Sequence, residues 1–325
     1  MTQQRRKVRC AASAILLGVF LAGCEALPSS NGTFTRDFKV TGPLRLELNT
    51  GSGDARVVAG SSGEVQVHGE FTVHPWPWEN TSKRVNELIQ NPPVEQEGNL
   101  LRINEKLLPV GNVEIKYQIE VPPETEMRAL TGSGALEIRG IRGPLTITSG
   151  SGDISASDIT ERVEVTTGSG AIQLANVQAE THLSTRSGDM ELSNIHGGIR
   201  ARTGSGDVTI SQPGGNITVD TSSGDLTVSN VTADLRVRTG SGDVTVDGNP
   251  GASSFWDFRT GSGDVALHLP SNASFRLDAR SSSGSIDTSI PLVIEGTNSK
   301  HELRGKAGDG KARIEIETGS GSIGL

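Results

Sequence analysis

A five-residue phrase, Thr-Gly-Ser-Gly-Asp or a close variant, returns every 18 residues, with its central serine at 133, 151, 169, 187, 205, 223 and 241. A period held this strictly leaves few architectures open. Each copy must be one coil of a stack that buries its apolar side against its neighbours. Looser copies centred on Ser52, Ser262, Ser283 and Ser320 carry the stack toward both ends. With 41 glycines and only 3% aromatic residues, the chain has material for frequent turns and too little for a conventional globular core.

Aligned on the central serine, the coils show where their interior lies. Six residues before it stand Leu145, Val163, Thr181, Ile199, Ile217 and Leu235, with Trp256 and Leu277 in later coils. Four before it stand Ile147, Val165, Leu183, Ala201, Val219 and Val237; two before it the column is Thr or Ser throughout. Three and five residues after it come Ile154, Ile172, Met190, Val208, Leu226, Val244 and then Ala156, Leu174, Leu192, Ile210, Val228, Val246. Alternation with period two on each side of a glycine turn predicts two inward-facing strands per coil. Ile159, Val177, Ile195 and Val231 mark a second corner. The expected fold is all-β: a parallel β-solenoid of about 18-residue coils in which like residues stack on like. Its threonines are expected to bond along the ladder or to the turn backbone, and its glycines to supply positive φ and close coil approach.

The N-terminus reads as an export signal. Arg5, Arg6, Lys7 and Arg9 precede a short apolar run, Cys10 to Gly23, that is too brief to span a bilayer. Leu21-Ala22-Gly23-Cys24 resembles a bacterial lipobox, which implies a signal peptide over 1–23, lipidation of Cys24 and a tether over 24–36. Glu25 after that cysteine suggests outer-membrane sorting where there is an outer membrane. Loss of Cys10 leaves one cysteine, hence no intrachain disulfide. Loss of four basic residues takes 30 to 26 against 38 acidic ones, about −12. A chain so acidic is a poor overall partner for nucleic acid or anionic lipid.

The domain spans 37–325, with an irregular insertion or cap at 69–125, regular coils at 126–290 and terminal coils at 291–325. Inside the insertion, Asn80-Thr81-Ser82 ahead of an amphipathic run predicts a short helix stopped by Pro92-Pro93, and strand-like runs follow at 100–103 and 113–121. At the other end Ile323 and Leu325 fall on inward columns, leaving an open edge for self-association unless residues 291–310 shield it.

Asp189, Asp207, Asp225 and Asp243 are the sharpest candidates for chemistry, because they recur in step and stack carboxylates about 4.8 Å apart. Calcium along the column is one reading. The other is that each carboxylate accepts an N–H in its own turn and stays solvated; Ala135, Ala171, Ser285 and Ser322 at the same position favour it. Catalytic patterns are missing: the six histidines keep no ligand spacing, and the Gly-Ser-Gly serines lack a nucleophile elbow or a phosphate loop. The expectation is no enzyme, no cofactor and no metal. Trp76 and Trp78 form the one non-repetitive patch, either a platform for a glycan or partner protein or part of a cap.

The Thr-Gly-Ser-Gly-Asp-Val/Ile ladder, Val121-Pro122-Pro123 before it, and Gly308-Asp309-Gly310 with Ile314 to Ile323 closing it resemble a bacterial family of adhesin-like domains of unknown function, similar to the head GIN domain of envelope proteins. The resemblance covers roughly 37–325 and implies a right-handed β-solenoid at the cell envelope, with no catalytic residues to carry over. The functional expectation is a membrane-anchored envelope lipoprotein with a structural, adhesive or interaction role. The alternatives are an envelope-stress or signalling accessory and a carbohydrate-active solenoid enzyme.

Overall fold

The structure is a computed structural model that describes residues 29–75, 80–105 and 112–325. Two large sheets, of 15 and 14 strands, run along the whole molecule. Each regular coil gives one strand to each sheet, and each strand pairs in parallel with its equivalent 18 residues on: Leu145 with Val163 in the larger sheet, Ile154 with Ile172 in the smaller. The register keeps every apolar column inside. Ile147, Val165, Leu174, Leu192, Ile210, Val228 and Leu235 are all fully buried between the sheets.

One repeated bond shapes the turn between the sheets. The hydroxyl of the buried Thr accepts the N–H of the glycine three residues on, from Thr203 to Gly206 and Thr239 to Gly242 at 3.0 Å each; Ser149 does the same for Gly152. The N–H of that glycine is thereby satisfied at a half-buried corner. The glycines serve approach alone: a Cβ on Gly206 would collide with the carbonyl of Gly188 in the coil below. None of the phrase glycines has positive φ, so that part of the expectation is corrected.

Positive φ belongs to the second corner. Gly140, Asp158, Asn176, Asn194, Gln212 and Asn230, seven residues after the central serines from 133 to 223, take φ between 52° and 77°. Asn and Asp tolerate this left-handed region better than most side chains. Here they also link coils, Asn194 Nδ2 to Asn176 Oδ1 at 2.8 Å and Asn176 Nδ2 to Asp158 Oδ1 at 2.9 Å.

Chain order and stacking order differ at both ends. Below the coil at 126–139 lies the coil made by Arg45–Thr50 and Ala55–Ala59; beneath that lies one made by Leu100–Asn104 and Val113–Val121. The stretch at 69–125 therefore supplies strands whose ladders continue the stack. Antiparallel strands close this end: Glu64–Val73 and Ser30–Lys39 on one sheet, Val94–Glu97 on the other. The helix Thr81–Gln90 packs against Ser30–Lys39 and Glu64–Val73. Asn80 Oδ1 accepts Lys83 N–H at its start, and Arg36 donates to the carbonyls of Ile89 and Gln90 at its end, where a cation complements the helix dipole.

The C-terminal coil is likewise tucked inward. Ala312–Thr318 lies between Phe255–Thr260 and Phe275–Ser281, and Ile323–Gly324 between Val265–His268 and Ile286–Asp287. Ile323–Gly324 is thus paired on both sides, contrary to the expectation of an open edge there, and Ile286–Asp287 is the last strand of the smaller sheet. The hairpin of Val293–Asn298 and Glu302–Ala307 pairs antiparallel outside Phe275–Ser281 and ends the larger sheet.

Candidate functional site

The aspartates of the phrase form a ladder between coils. Asp189 Oδ1 accepts the N–H of Asp207, Asp207 that of Asp225, and Asp225 that of Asp243, each at 2.9 Å; Asp243 serves Asp264, and Asp264 serves Ser322. The acceptor role was expected, but within each residue's own turn. The donor is instead one coil further on, because the strand entering the next coil aims its first N–H down the axis. One oxygen of each carboxylate is thereby fixed and the column stays exposed. Among the described residues no group of three or more His, Cys, Asp or Glu side chains is placed to hold a metal ion.

Ala135 and Ala171 interrupt this ladder. Each gives its N–H to the aspartate below, Asp54 and Asp153, and offers no carboxylate to the coil above. Their small side chains leave a shallow groove of about 510 Å³ along the corner, with Arg56, Lys116 and Glu137 on its walls. Arg56 lies 3.6 Å from Glu137 across it.

The larger sheet's outer face has a different character. Arg202 stacks on Asp220 and Asp220 on Arg238, with contacts of 3.3 and 4.0 Å. Beside them Asp257, only 4% exposed, holds Arg236 at 3.5 Å and Arg259 at 3.3 Å. These residues fall on two outward columns, three and five residues before each central serine. The 18-residue spacing of Arg202, Asp220 and Arg238 is present in the sequence.

A half-buried carboxylate lies near the N-terminal end. Glu105 accepts the N–H of Gly51 at 2.6 Å, tying the first turn to the coil beneath it. Burial pushes its carboxyl up to about 7, against the opposing pull of that N–H. Nothing in the sequence pattern singled it out.

No histidine forms a catalytic pair with a phrase serine among the described contacts. His182 lies between Glu180 and the guanidiniums of Arg162 and Arg200, His301 meets the carbonyl of Gly284, and His68 the hydroxyl of Thr35. Cys24, Trp76 and Trp78 lie outside the described residues.

The profile of the Toastrack DUF4097 family matches residues 107–228 and 215–325, which together cover most of the chain and all its regular coils. The chain belongs to this family. Toastrack membership accounts for the repeat and the paired parallel sheets together. No curated protein matches this Toastrack chain. Solved structures similar to it include a provisionally assigned cell adhesion protein from Clostridium sporogenes, at 15% identity over 91% of this chain and 98% of the other, with TM-score 0.27. Another, from Parabacteroides distasonis, carries a provisional lipid-binding assignment, at 13% identity over 90% and 96%, TM-score 0.40. A third is a provisionally assigned adhesin from Bacteroides fragilis, at 15% identity over 90% and 96%, TM-score 0.36.

Proposed function

We propose that this Toastrack chain is a non-catalytic lipoprotein of the cell envelope, anchored through Cys24 and presenting its solenoid faces to envelope components or to other cells. One observation carries the reading: the repeated polar side chains are committed to holding coils together. Asp207 and its equivalents bind the next coil, and Thr203 and its equivalents bind their own turn. A hydrolase or lyase on such a scaffold needs acids or bases freed from the repeat and clustered on one face. Here the acids of the repeat are its fasteners. What remains for a partner is surface, long and regular, which suits contact better than turnover. The lipobox and the apolar run before it supply the anchor in this reading.

The test is a pull-down from cross-linked cells with the intact lipoprotein, beside Cys24→Ser. Recovery of a defined envelope partner by the lipidated form, with Cys24→Ser released from the membrane fraction, supports the reading. Turnover of a polysaccharide by the purified chain overturns it.

A further inference from the structure

We propose that the outer face of the larger sheet, over Ile199–Thr203, Ile217–Thr221, Leu235–Thr239 and Phe255–Thr260, binds a linear acidic polysaccharide lying along the solenoid axis. This rests on the interaction role proposed above and names the partner's chemistry. The outward side chains of these four strands include Arg200, Arg202, Arg236, Arg238 and Arg259 against Asp220 and Asp257. Five guanidiniums and two carboxylates make a basic face on a chain whose formal charge is −8.

The face is built as well as charged. Asp220 registers on both Arg202 and Arg238, and Thr218 on both Arg200 and Arg236, so in each column these cations recur every second coil, about 9.6 Å apart; Arg238 also registers on Arg259, which Glu317 follows. Like charges stacked so closely repel, and the aspartates only partly offset it. Asp257 is buried and aims Arg236 and Arg259 from beneath. The side chains of Arg202, Arg236, Arg238 and Arg259 nevertheless stay about half exposed, from 48% for Arg236 to 64% for Arg202. A polymer with one carboxylate per sugar can turn every second charge toward such a row, and guanidinium recognises carboxylate through paired hydrogen bonds.

Two alternatives fit less well. A protein partner or an inserted membrane surface calls for apolar anchors. The large apolar side chains exposed among the described residues are Ile89, Leu130, Val293 and Ile294, none of them on these strands. The acidic total does not prevent binding. The aspartate ladder occupies another corner, and at physiological salt the screening length of about 8 Å is shorter than the roughly 10 Å between packed sheets.

The test is titration of the full-length lipoprotein in nonionic detergent with polygalacturonate, with neutral dextran and phosphatidylglycerol vesicles as separate arms. Binding to polygalacturonate alone is expected, weakening at least tenfold between 50 and 300 mM salt. The variant Arg200→Gln/Arg202→Gln/Arg238→Gln should lose at least tenfold in affinity with its melting temperature close to the parent's, since it leaves Asp257 both partners and the Asp220 it frees is partly exposed. Arg56→Gln/Arg139→Gln on the other sheet should bind as the parent does. Equal affinity in the triple variant, equal binding of dextran, or binding of vesicles in place of polygalacturonate overturns the proposal. If polygalacturonate fails while the pull-down still recovers an envelope partner, the glycan assignment falls and the broader interaction role stands.

Discussion

The carboxylate of Asp189 accepts the backbone N–H of Asp207 at 2.9 Å, one coil further along the axis. The residue that seemed best placed to bind a ligand thus binds its own chain. Stacking carboxylates about 4.8 Å apart costs about 1 kcal/mol per neighbouring pair even in water, and the charge-assisted bond to the next coil offsets it.

That balance predicts a difference between two substitutions. Asp207→Asn keeps an oxygen acceptor and removes a charge, so its urea unfolding midpoint should equal or exceed the parent's at low salt. Asp207→Ala removes the acceptor and should lose about 1 kcal/mol. Equal stability of the two variants would show that the ladder bond contributes nothing.

The inner side of the turn is less forgiving. Thr203→Val leaves the N–H of Gly206 buried without its acceptor and should cost about 1–3 kcal/mol, whereas Thr203→Ser should be much milder. Gly206→Ala drives a methyl into the carbonyl of Gly188 and should cost about 3 kcal/mol or leave the chain unfolded. Denaturant unfolding of the three variants checks the order.

At the opposite corner Asn194 sits at φ 55°. Asn194→Gly relieves the backbone while losing the bond to Asn176, and should stay within about 1 kcal/mol of the parent. Asn194→Val places a β-branched residue in the left-handed region and should cost about 1–2 kcal/mol or more. Comparable melting temperatures for the two would contradict the assignment of that corner.

Much of this was legible because the fold repeats. Once the serines were aligned, Ile147, Val165 and Val219 fell into one inward column and Thr167, Thr185 and Thr203 into another. The left-handed column was legible in principle as well, since Asp158, Asn176, Asn194 and Asn230 keep the 18-residue step with residue types suited to positive φ. Stacking order at the ends was not. A repeat states that like coils stack, but the chain leaves the first coil at Ala59 and re-enters the column at Leu136 after building another coil beneath. Long connections carry no signal of which neighbour they bypass. The same gap hid the insertion of Ala312–Thr318 beside Phe255–Thr260. The arginine face lay in the two outward columns of the larger sheet, masked by the net charge of the whole.

Glu105 predicts a dependence on pH. Its folded carboxyl, raised to about 7 chiefly by burial, holds its proton more tightly than in the unfolded chain. The associated stability is therefore complete below the ordinary glutamate range and lost as pH rises through about 7. Glu105→Gln stays neutral throughout, so the parent should lose stability relative to it between about pH 4.5 and 7. Parallel curves for parent and variant would show that Glu105 is not buried as described.

The melting temperature of the full chain in calcium and in chelator, measured beside Asp189→Asn/Asp207→Asn/Asp225→Asn/Asp243→Asn, bears most directly on whether the repeated phrase holds coils together or binds a ligand. A structural ladder predicts the same melting temperature with and without calcium, and a quadruple variant that melts no lower than the parent. A calcium-dependent rise in the parent that vanishes in the variant would contradict it.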